Sequence, residues 1–133
     1  IGLLETAYFL IWEDTDYCYK AKKAGFSLIS VPDAKIYHKV TSSFTGVKPQ
    51  MHYFLRRGRL LWIKRNRKLL PPSYKYSLFI ELFKLFRHFI VKSIVFPFST
   101  KNKQEMRRKR LKRYRAGIRG VFHFCLGKFG NTY

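Results

Sequence analysis

The chain has 133 residues, with 28 Lys or Arg against 7 Asp or Glu and a formal net charge of +21 at pH 7. At 47% hydrophobic and 18% aromatic residues, it is too apolar to stay a disordered basic tail and long enough to bury one modest core. The charge is uneven: residues 1–55 carry six basic and five acidic side chains, whereas residues 56–133 carry 22 and two, so a near-neutral globular part precedes a cationic part suited to anionic partners.

Residues 1–12 mix Leu, Phe, Tyr and Trp12 without a clear period and read as a buried approach to the acids that follow. From Asp14 to Ala24 the composition predicts a helix. Acids open it, Lys20, Lys22 and Lys23 close it against the helix dipole, and Gly25 is a natural residue just past its end. Tyr17, Ala21 and Ala24 share a face at i, i+4 and i+7, which is expected to pack on a sheet. The segments FSLISV (26–31) and KIYHKV (35–40) then read as short strands joined by a turn at PDA. A loop over 41–49 leads to a second helix over 51–67, carrying Tyr53, Leu60, Leu61 and Ile63 among many arginines.

The PPSY string at 71–74 is a strong break and sets the expected boundary between residues 1–70 and a basic tail, 71–133. Over 75–96 a helical period places Ser77, Glu81, Lys84, His88 and Lys92 in one narrow polar stripe, with apolar residues around the rest. Its charges argue against a membrane span and favour a helix lying in the membrane interface, or one packed on protein. Pro97 ends it. Residues 101–115 hold nine Lys or Arg and one Glu, and a glycine-punctuated amphipathic stretch closes the chain. Cys18 and Cys125 match no metal-ligand spacing and point to a reducing compartment.

The acids Glu13, Asp14 and Asp16 are the feature most open to chemistry. A carboxylate at a helix start can cap the helix, bind a metal or accept a proton. Capping suits Asp16, while the adjacent pair Glu13 and Asp14, set among aromatics, is of the kind whose pKa values separate and free one member for general-base work.

Three strings in order, GLLETAYFLIWEDTDYCYKAKKAGF, then VPDAKIYHKVTSS, then YFLRRGRLL, resemble the second half of the catalytic domain of glycosyltransferase family 2, particularly its rhamnosyltransferase-like members. The resemblance covers about half of the chain, and the closing glycines with Phe129 and Gly130 resemble that family's ends more loosely. It implies an α/β fold: part of a GT-A, Rossmann-like nucleotide-diphospho-sugar transferase domain, followed by an amphipathic helical extension. The implied activity is inverting sugar transfer from a nucleotide-diphosphate donor to a hydroxyl of a glycan or lipid-linked acceptor.

Residue by residue, the resemblance makes Asp14 the general base with Glu13 beside it. It gives Arg57 and Asp16 contact with diphosphate or acceptor, and sets His38 near the metal. Gly58 stands where the family has Asn. The metal, Mg2+ or Mn2+, is expected to be held chiefly by aspartates in a preceding half that this chain lacks, so that the chain is a fragment, inactive alone. Residues 75–133 are expected to hold it peripherally on the cytoplasmic face of an anionic membrane. The alternative is a non-catalytic basic protein binding anionic membrane or nucleic acid. Nucleic acid is the less favoured partner, because the basic run adjoins an apolar helix and no RNP-like or zinc-ligand string appears.

Overall fold

A computed structural model describes residues 1–37, 49–94 and 101–133. Helix α1 spans Glu13–Lys23 and α2 spans Pro49–Asn66; a 3-10 turn over Pro72–Tyr76 leads into α3, Ser77–Ile94, and α4 spans Lys101–Cys125. Among the described residues there is no strand and no sheet. The α/β, GT-A-like fold expected from the sequence is therefore corrected to a helical one. The predicted strand 26–31 is irregular and exposed throughout, with Ile29 81% accessible. The predicted strand 35–40 is irregular as far as Tyr37, and its remainder lies outside the described residues. The physical reason is that a strand needs a partner edge and a covered face, and no described element supplies either.

The helices follow local signals closely. In α1 the acids stand in the first turn and the lysines in the last, and Gly25 adopts φ +90° just beyond the end. The face expected to meet a sheet meets none: Ala21 is buried, Tyr17 half-buried and Ala24 exposed. The approach over residues 1–12 is also less covered than expected, since Ile1, Leu3, Leu4 and Phe9 are exposed and Tyr8 alone is fully buried.

The core lies where α4 packs along α2. Tyr53, Phe54 and Ala116 form one cluster, covered by Leu10 and Ile11; Leu60, Leu85 and Val121 form a second, bordered by Leu78, Tyr114 and Phe124. The helices approach closely at Gly120, where a Cβ would come within 2.5 Å of the Tyr53 carbonyl oxygen. Gly58 serves the N-terminal segment in the same way: a Cβ there would lie 2.9 Å from Trp12 Cδ1. Gly58 is thus a seat for the Trp12 ring, whose Nε1 donates to the Leu55 carbonyl at 3.1 Å.

Helix α3 turns the start of its polar stripe inward. Ser77 and Glu81 are buried, and Glu81 forms ion pairs with both Arg56 and Arg59 of α2. Its apolar side faces out, with Phe79 70%, Phe83 58% and Phe86 63% accessible. Among the described residues no helix is long and apolar enough to cross a membrane, in line with the reading of 75–96 as non-spanning.

Candidate functional site

The structure separates the three clustered acids by environment. Asp16 is 3% accessible; it accepts a hydrogen bond from the Tyr8 hydroxyl at 3.1 Å and pairs with Lys20 Nζ at 2.8 Å. Burial, and then the Asp16 charge, push the Tyr8 phenol well above its ordinary range, so it remains a neutral donor. Asp16 therefore ties the approach segment to α1. Glu13 is half-buried, and its Oε2 is enclosed without a hydrogen-bond partner among the described residues. Asp14 is exposed, and its Oδ1 accepts from the Thr15 amide at 2.6 Å and the Thr15 hydroxyl at 3.3 Å.

The backbone leading to these acids is unusual. Phe9, Ile11 and Trp12 have φ of 65°, 64° and 81°, a left-handed region that costs bulky and β-branched residues on the order of 1–3 kcal/mol each. Aromatic packing on α2 offsets that cost. Phe9 lies against Phe54 with centroids 5.2 Å apart, Trp12 against Trp62 at 5.8 Å, and Tyr19 meets Trp62 edge-on at 5.3 Å. Ion pairing of Glu5 with Arg65 at 2.7 Å adds a polar tie.

Arg57 occupies a different place from that of a ligand-contacting residue. It is 0% accessible and gathers the two ends of the chain. Its Nη1 donates to Thr132 Oγ1 at 2.7 Å and to the Tyr53 hydroxyl at 3.2 Å; its Nη2 donates to the carbonyls of Gly130 at 2.6 Å and Tyr8 at 3.2 Å. No carboxylate faces it among its hydrogen-bond partners. Its charge is spread over carbonyl and hydroxyl oxygens and over the rings of Tyr53 and Phe54, each 5.1 Å from the guanidinium carbon. Burial lowers its pKa, and hydrogen bonding to Tyr53 acts against that. Asp14 and Arg57 thus do not share a site: one is on the surface, the other is a structural clasp.

His38 lies outside the described residues. Among those described, no group of three or more His, Cys, Asp or Glu side chains could hold a metal ion. Asp14 and Asp16 have the spacing of a metal-binding pair, but Asp16 is occupied by Tyr8 and Lys20. The residues described do not fit a Mg2+ or Mn2+ site.

A cleft with no signature in the sequence lies between α2, α3 and α4. A cavity of about 460 Å3 is lined by His52, Arg56, Lys84, His88, Arg110 and Arg113, with Tyr114 and Leu85 completing its walls. These residues come from three separate stretches, each resembling an ordinary solvated basic face, and only the helix packing brings them together. His52 is lowered from its ordinary pKa, first by burial and then by the charges of Arg113 and Arg56. Comparison with protein-family models, with curated proteins and with solved structures found no match to this chain.

Proposed function

We propose that the chain takes part in inverting glycosyl transfer at a membrane surface, with Asp14 as the general base. Support comes from the ordered strings that resemble glycosyltransferase family 2, and from one observation that carries the reading: of the three clustered acids, Asp14 alone is exposed. A base must be reachable by the hydroxyl it deprotonates. In the proposed step the acceptor oxygen bonds to the anomeric carbon from the face opposite the nucleoside diphosphate. The carbon–oxygen bond to the diphosphate breaks with its electron pair, and the hydroxyl proton passes to Asp14. In this chemistry a divalent cation would neutralise charge on the departing diphosphate, and the described residues form no site for one.

Incubating the full-length protein with a panel of nucleotide sugars and bacterial glycolipid acceptors, and following nucleoside diphosphate release, tests the proposal. Asp14→Asn should lower release by about 10² to 10⁴ while leaving nucleotide affinity unchanged. Wild-type protein that releases nothing from any donor would count against the activity. Near-normal release by the variant would remove Asp14 from it.

A second reading, a non-catalytic protein on an anionic membrane surface, is favoured by the outward apolar side of α3. Phenylalanines there, beside the basic α4, suit an interface of acyl chains and anionic head groups. Flotation with anionic vesicles, alongside a salt-titrated oligonucleotide shift, separates membrane from nucleic acid as the anionic partner.

A further inference from the structure

We infer that the cleft between α2, α3 and α4 is a binding site for a phosphoryl group, in the form of a phosphomonoester or diphosphate. Three helices each deliver basic side chains to it: His52 and Arg56 from α2, Lys84 and His88 from α3, Arg110 and Arg113 from α4. At about 460 Å3 the cavity falls within the range of small-molecule sites, about 300–1,000 Å3.

The charge in the cleft is balanced only at Arg56, which pairs with Glu81. Glu81, the acid nearest along α3, is committed to Arg56 and Arg59 together, and Glu105 of α4 pairs with Lys109 instead. Among the described residues no carboxylate pairs with Arg110 or Arg113. Like charges converging from three helices repel, and a bound anion turns that repulsion into attraction. Several guanidinium forks around one volume suit the tetrahedral oxygens of phosphate, which accept two parallel hydrogen bonds from each.

The walls are fixed as well as charged. His88 Nδ1 lies 2.7 Å from the Lys84 carbonyl oxygen, so it is the ring's donor to that carbonyl, and the imidazole stacks on Tyr114 with centroids 5.7 Å apart. Its Nε2 becomes a second donor when the ring is protonated. Gly117 floors the cleft without a side chain, and a Cβ there would sit 3.3 Å from Leu85 Cδ2. His52 is lowered first by burial and then by the charges of Arg113 and Arg56, and a bound anion would relieve that second, positive contribution.

Titration of the full chain with inorganic pyrophosphate, followed by calorimetry at about 0.15 M salt, provides the test. A paired arm uses vesicles containing phosphatidic acid, whose head group is a phosphomonoester, against phosphatidylserine vesicles. The variant Arg110→Ala/Arg113→Ala removes two cleft cations from α4. Arg108→Ala/Lys109→Ala removes the same charge from exposed positions of the same helix. The cleft variant should lose about tenfold or more in pyrophosphate affinity and the control under about twofold. Preference for phosphatidic acid, lost in the cleft variant, identifies a lipid head group as the source, and tight pyrophosphate binding without that preference identifies a soluble phosphate. Equal losses in both variants would mean diffuse attraction and overturn the site. Absence of saturable binding in both arms would overturn it too. Nothing in the test depends on Asp14, so the cleft and the proposed transfer chemistry can fail separately.

Discussion

Replacing Arg57 by Met retains much of the side chain's length while removing every donor and the charge. The variant leaves the carbonyls of Tyr8 and Gly130 and the hydroxyl of Thr132 without a guanidinium that had bonded them at 3.2, 2.6 and 2.7 Å. Each group keeps a second partner, the Leu10 amide for Tyr8, the Thr132 amide for Gly130 and the Tyr53 hydroxyl for Thr132, so the loss is that of three hydrogen bonds to a charged donor, about 1.5–3 kcal/mol each before relaxation. Gly130 and Thr132 are only half-buried, and loosening of residues 128–133 lets them recover hydrogen bonds from water. Release then forfeits the packing of Tyr133, which meets Tyr53 with centroids 5.2 Å apart. Losing the desolvation cost of a buried guanidinium offsets part of the penalty. The expected net loss is about 2–4 kcal/mol. Urea denaturation measures the loss, and amide exchange should show residues 128–133 losing protection before α2 does. A change below about 1 kcal/mol, with those amides still protected, would refute the role of Arg57 as the clasp between the chain ends.

Close helix contact makes a second prediction. Gly120→Ala sets a methyl 2.5 Å from the Tyr53 carbonyl oxygen, so α4 must shift off α2; a loss of about 1–3 kcal/mol is expected in thermal or urea unfolding, and an unchanged midpoint would contradict this geometry. Acid should destabilise the fold through its histidines. His52 and His123 are both lowered in the folded state from the ordinary value of 6.5, chiefly by burial and then by neighbouring arginines. The unfolded chain therefore takes up protons first, and stability present above about pH 6.5 falls as pH drops through the folded-state values. Unfolding midpoints measured from pH 7.5 to 5 check the sign. Substituting both histidines by Gln should flatten that slope, and a stability rising toward pH 5 would contradict it.

Much of the helical structure was legible in the sequence because its causes are local. Acids before lysines and a glycine after them fix α1 wherever it lies, since the dipole and the terminal turn act within a few residues. The two prolines at 71 and 72 break the chain before α3 in any tertiary setting, as they lack the amide a helix interior requires. The polar stripe of α3 was also readable as a stripe, by its period alone. Tertiary structure decided what those elements do. Segment 26–31 has the composition of a strand, yet pairing depends on a neighbour that composition does not provide. The start of the α3 stripe turned inward because Glu81 found Arg56 and Arg59, and two ion pairs outweigh the ordinary tendency of charge to face water. The resemblance implied a diphosphate or acceptor contact for Arg57; its burial depends on the Gly130 carbonyl and the Thr132 hydroxyl, more than seventy residues away along the chain. Likewise the cationic cleft has no signature in the sequence, because its six basic side chains come from three helices and meet only when α4 closes on α2 over Gly120.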